Sequence, residues 1–267
     1  MAQITIEKRK DFEEKSKVYR DGITEINKLE KETILQINRD PTNSGYKKMA
    51  LIEKLIYSAT LSIAINALSL EVLDTKNNEA LNDARKILYK TVIYLEEIVT
   101  NLVDAPFSDY AQKLEAISNV SLEKRYLLVK KLGLAIRLVT DAFGENSKWK
   151  WSFIELEARF STVSKNLVNM KELIQAYNDP RNPEYQISVQ FIRLIMRLLD
   201  KSSNGYRDKY ELSTHRLDDM RLAIQYVISL RRIQILLGQT DEAENLKKKV
   251  SVWKAKMEAD QKSGVSQ

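Results

Sequence analysis

Residues 49–73 read MALIEKLIYSATLSIAINALSLEVL, and residues 55–70 of that stretch carry no charge. A surface helix shows one apolar stripe, whereas a helix that is apolar on every face must be wrapped by other elements. The pattern therefore predicts the central helix of a bundle, with Leu51, Ile52, Leu55, Ile56, Leu61, Ile63, Ile65 and Leu68 buried. A membrane span is the competing reading. The uncharged run contains Ser58, Thr60, Ser62, Asn66 and Ser69 and is short against the roughly 20 apolar residues that a bilayer requires. Ile63→Asp is accordingly expected to unfold the protein by burying an unpaired charge.

Helical spacing recurs on both sides of this segment. It predicts a long helix over 4–38, a third over 79–103 that ends before Pro106, and a fourth over 108–143 with a break at 118–121. Gly144 stands where a left-handed residue closes that helix. Over 149–177 the residues Trp149, Phe153, Leu156, Phe160, Val163, Leu167, Met170, Ile174 and Tyr177 alternate spacings of four and three, the signature of a coiled-coil seam. That seam lies along neighbours in its own bundle or recruits another chain. A sixth helix covers 185–201, and Ser203, Asn204 and Gly205 predict a turn into a seventh, which ends at Gly238. An eighth begins behind Thr240 as N-cap and frays after Met257.

Seven Gly and four Pro are few for 267 residues, which argues for long elements with few reversals. The predicted fold is all-α: seven to nine helices in an elongated bundle or a stack of long antiparallel helical hairpins. Two units are expected, 1–145 around the central apolar helix and 146–267. Asp40-Pro41-x-Asn43-x-x-Tyr46 recurs as Asp179-Pro180-x-Asn182-x-x-Tyr185, 139 residues later. At the same offset Ile34, Leu35 and Gln36 match Leu173, Ile174 and Gln175, and Leu55 and Ile56 match Leu194 and Ile195. The second unit then reads as a shortened duplicate of the first. Common Asp-Pro-Asn turn chemistry is the alternative.

The charge of +6 comes from lysines and arginines interspersed with acids along the helices. That is a solvated surface rather than a basic groove lined with stacking aromatics, so no nucleic acid is expected as partner. The chain has no cysteine and one histidine. Glu211 and His215 are four apart, which is not the Glu-x-x-His spacing of carboxylate-bridged metal bundles, and no phosphate-loop, zinc-protease or serine-hydrolase motif occurs. The expectation is a protein that is not an enzyme, with no cofactor, no metal and no membrane span. Residues 1–12 hold no apolar run of signal-peptide length. A chain starting after a removed signal would look the same.

A non-catalytic structural or assembly protein is the expected function, acting on protein partners. Its expected contact is the start of the heptad segment, Lys148, Trp149, Lys150, Trp151 and Phe153, where large amphipathic rings stand beside positive charge. Trp149 and Trp151 are two apart and turned about 200° from one another on a helix, so Trp151 is expected to be the exposed one. The rival is a helical-repeat adaptor that captures a peptide. Residues 224–249, through Leu237, Gly238, Asp241, Glu242 and Ala243, resemble a single tetratricopeptide-like helix pair, which implies a helical-hairpin stack. Rich in Lys, Ile and Asn and free of cysteine, the chain also resembles the flagellar-coiling sheath proteins of spirochaete periplasmic flagella. That resemblance carries no individual residue across. It implies a structural subunit of a flagellar filament sheath, periplasmic once a signal is removed; without it the chain is expected in the cytoplasm.

Overall fold

The computed structural model describes residues 5–264. The fold is all-α: 82% of the described residues are helical, chiefly in ten α-helices, and there is no strand among them. The helices are α1 (Ile6–Arg39), α2 (Ser44–Leu73), α3 (Asn78–Ile98), α4 (Ala111–Glu115), α5 (Leu122–Phe143), α6 (Lys150–Asn166), α7 (Met170–Tyr177), α8 (Tyr185–Lys209), α9 (Leu217–Leu236) and α10 (Thr240–Lys262). Contacts divide the chain into two units. The first comprises residues 1–98 and 127–147, the second residues 99–126 and 148–267. The division expected at 145/146 falls beside the later junction, while residues 99–126 group with the second unit.

In the first unit α2 packs between α1 and α3. Leu51, Ile52, Leu55, Ile56, Leu61 and Ile65 are buried as expected, but Ile63 and Leu68 are only half-buried. Nor is α2 wrapped on every side, since Tyr57 is 57% and Leu70 42% exposed. Helix α2 is long and apolar enough to cross a membrane, and half of its most apolar window is buried in this fold. Phe12, Ile65 and Ala80, one from each helix, form a cluster closed by Tyr19, Ile23 and Leu68. Farther along, the buried carboxylate of Glu30 on α1 accepts from Lys90 Nζ at 2.5 Å and from the Tyr94 hydroxyl at 2.8 Å, both on α3. A buried charge is tolerated when paired in this way. Burial and then the Glu30 carboxylate push the Tyr94 phenol well above its ordinary range.

In the second unit α8 packs against α6, α7 and α9, and α10 packs against α9. Three expectations are corrected here. The predicted 149–177 helix is broken: α6 closes at Leu167, and Asn169 caps α7 by accepting from Lys171 N–H at 3.2 Å. Phe153, Leu156, Phe160, Val163, Leu167 and Ile174 are nonetheless all buried. Residues 203–205 form no turn. Ser202 and Ser203 bond back to the carbonyls of Leu198 and Asp200, and a Cβ on Gly205 would stand 3.1 Å from Ile154 Cγ2, so these small residues let α8 approach α6. The helix instead ends in a π-turn over Tyr210–Thr214, followed by left-handed His215. Thr240 is the first residue of α10 rather than its cap, which is Gln239, and α10 runs through Met257 to Lys262. Gly144 holds the expected positive φ, +86°, and Gly238, where α9 ends, is left-handed as well at +73°.

The two Asp-Pro loops share a bond: Asp40 Oδ1 accepts from Thr42 N–H and Asp179 Oδ1 from Arg181 N–H, each at 3.0 Å. Helix α9 begins 139 residues after α3. At that offset Leu81 and Met220, Ala84 and Ala223, Leu88 and Val227, and Thr91 and Leu230 are buried pair by pair.

Candidate interaction surface

Glycine at 144 ends α5 and the chain turns, with Ser147 N–H bonded to Gly144 O at 3.2 Å. Trp149 holds the N-cap position of α6 without a side-chain cap, and its carbonyl accepts from Phe153 N–H at 2.9 Å. Lys148 Nζ lies 5.3 Å from the centre of the Trp149 ring, and Lys150 Nζ 5.1 Å from that of Trp151. Both ammonium groups are within the range of cation–π attraction. Phe153 is buried at 3% exposure, whereas both lysines are exposed.

The expected contrast between the two tryptophans is not found, because both are half-buried. Helical spacing fails at this pair since Trp149 precedes the helix, with φ −92° and ψ 1°, and only Trp151 lies within it. The segment thus presents two partly exposed rings, each beneath its own lysine, on a stem anchored by Phe153. Such a surface can contact an apolar or an acidic partner.

Beyond this stem, an open groove of about 540 Å³ runs between α6 and α8, lined by Ile154, Glu157, Arg197, Asp200 and Lys201 among others. Lys201 Nζ reaches Glu157 at 2.7 Å. Lys249 of α10 reaches Asn204 Oδ1 at 2.9 Å and Asp200 at 3.6 Å. Sequence reading missed the groove because Ser202 to Gly205 resemble a loop. At the far end of α8, Tyr210 is buried in the π-turn and donates to Asp260 at 2.7 Å, which fastens α10. Glu211 pairs with Arg207 at 2.8 Å, and His215 lies outside any helix, so the two do not share a helical face.

A second group of polar side chains fixes residues 99–126 within their unit. Arg125, only 9% exposed, donates to the carbonyls of Ile117, Val120 and Leu167. Asn166 donates to Thr100 O and Leu102 O, both at 3.1 Å, and Lys165 to Val103 O at 2.6 Å. Arg232 pairs with Asp104. Every one of these cations faces main-chain carbonyls or an acid already engaged, so the cluster holds a loop rather than presenting a reactive group.

Burial lowers Lys165 from its usual 10.5 to about 8; Asp104 opposes the shift and Arg232 adds to it. Between those values the unfolded chain binds the extra proton, so stability rises with pH across that window. The phenols of Tyr94, Tyr110 and Tyr210 are raised in the fold, so ionisation of the unfolded tyrosines, which sets in about one pH unit below their ordinary value of 10.0, opposes this rise at the upper end of the window. Urea denaturation from pH 8 to pH 9 should therefore show increasing stability that Lys165→Met abolishes. A flat wild-type profile contradicts the assignment.

No curated protein and no solved structure matches the chain. The model of the TP0443 family, a Treponema-named and so spirochaete-associated family, matches residues 8–261, and the chain belongs to that family.

Proposed function

We propose that the protein is a non-catalytic assembly subunit and that its contact surface includes the Lys148–Phe153 stem. The observation that carries this reading is the pair of half-buried tryptophans under lysines. Aromatic rings with one face packed and one face wet are the groups that anchor protein interfaces. Membership of a spirochaete-associated family, the cysteine-free helical character and the resemblance to flagellar-coiling proteins support a more specific form, a subunit of the periplasmic flagellar filament sheath. We read the two units as a tandem duplication, supported by the shared loop bond and the common buried register of α3 and α9.

The adaptor reading is favoured by the α9–α10 hairpin. Helix α10 buries only Ala243 and Trp253, while Ile235, Leu236 and Val252 at the same hairpin are 50%, 54% and 66% exposed. A peptide could cover those side chains at the tetratricopeptide-like pair.

Trp151→Ala separates structure from contact. The expected result is unchanged helix content by circular dichroism with weaker association, measured by sedimentation, with purified filament components or with itself. Equal loss of helicity and association would place Trp151 in the core and remove the stem from the interface. A monomer that binds one peptide with one-to-one stoichiometry, undisturbed by Trp151→Ala but lost on Leu236→Glu, would instead favour the adaptor.

A further inference from the structure

Helix α5 has apolar side chains on two opposite faces. One face is buried through Val129, Leu132, Ala135, Ile136 and Val139, while the other exposes Leu127, Leu134 and Leu138 at 43%, 53% and 39%. These leucines are spaced by seven and four, so they form one line along the helix, the spacing of a helix–helix seam. Lys131 lies between the first two, its Nζ 3.5 Å from Glu53 of α2. One turn beyond Glu53 is Tyr57, itself 57% exposed. The first unit thus carries an apolar strip along α5, widened by α2.

We propose that this face pairs with itself: α5 of one chain packs antiparallel on α5 of a second copy, forming a two-fold dimer. The inference rests on the assembly reading and names a second copy as the partner. In a two-fold contact, if one residue meets another, the second meets the first across the axis. With the axis between residues 132 and 133, Leu127 meets Leu138, Lys131 meets Leu134, and Lys124 meets Asp141 at both ends of the seam. Lys124 and Asp141 are exposed. Charge selects this arrangement, since a parallel pairing in register would set Lys131 on Lys131 and Lys124 on Lys124. The stem of Lys131 covers Leu134 while its ammonium stays with Glu53. Asp141, 3.8 Å from Arg137, also balances Arg137 where that residue flanks Lys130 of the second copy.

A sedimentation concentration series on the whole chain tests the pairing. The wild type should dimerise reversibly. Leu134→Glu, at an exposed position, should keep its circular dichroism spectrum and associate about tenfold or more weakly. Asp141→Lys should also weaken the dimer, and adding Lys124→Glu to it should restore association. If the wild type associates and Leu134→Glu associates equally well, the α5 pairing is overturned while the assembly reading stands. If the double swap stays as weak as Asp141→Lys, the antiparallel register is overturned. A wild type that is monomeric at high micromolar concentration overturns both.

Discussion

Ile52→Asp is expected to unfold the first unit. Ile52 is fully buried in the first third of α2, and the core of this unit also includes Leu55, Leu81 and Leu88, all at 0% exposure. Removing the side chain alone costs about 2–5 kcal/mol, and an unpaired carboxylate in that place adds the penalty of a buried charge. Together these rival the roughly 5–15 kcal/mol that stabilises an ordinary domain. Circular dichroism should show a large loss of helix, and thermal melting no cooperative transition for this unit. Ile63→Asp, to which the sequence pattern alone assigns the same outcome, should be much milder, because Ile63 is half-buried and its carboxylate can reach water. Equal effects at the two positions would contradict the packing of α2 described above.

Arg125→Met carries the second large effect. The guanidinium supplies three hydrogen bonds, to Ile117 O and Val120 O at 2.8 Å and to Leu167 O at 3.1 Å. Two of the carbonyls lie in the turn before α5 and the third at the end of α6. A carbonyl left without a donor costs about 1–3 kcal/mol. Part of that is recovered by water, since adjoining depressions of about 490 and 210 Å³ both reach Arg125. The net expectation is about 3–5 kcal/mol from urea denaturation. Arg125→Lys should recover less than half, because a point ammonium cannot span three carbonyls as a planar fork does. Loss below about 1 kcal/mol would mean that the three bonds contribute nothing net.

What the sequence made legible follows from how much apolar surface each segment carries. The burial of α2 could be read because its core positions are large aliphatics, and the α6–α7 seam because its rings and leucines keep strict spacing. The second half of α6 was opaque. From Phe160 to Val168 every residue but Lys165 is buried, yet four of them, Ser161, Thr162, Ser164 and Asn166, are polar. Thr162 and Ser164 satisfy themselves on carbonyls one turn back, and Thr162 also meets the Tyr226 hydroxyl at 2.8 Å. Hydropathy cannot signal burial achieved in that way. The docking of residues 99–126 was hidden for a similar reason, since Arg125, Lys165 and Asn166 are the residue types that normally mark a surface. At the α6 stem the residue types could be read but their exposure could not, because it depends on where the helix starts.

The central claim, that this chain is an assembly subunit, is tested most directly by sedimentation velocity of the purified wild type over a wide concentration range. The account predicts reversible growth from the 30.9 kDa monomer to dimers and larger species, with Trp151→Ala and Leu134→Glu each reducing it while helix content is kept. A single 30.9 kDa species at every concentration, unaltered by either substitution, would contradict it.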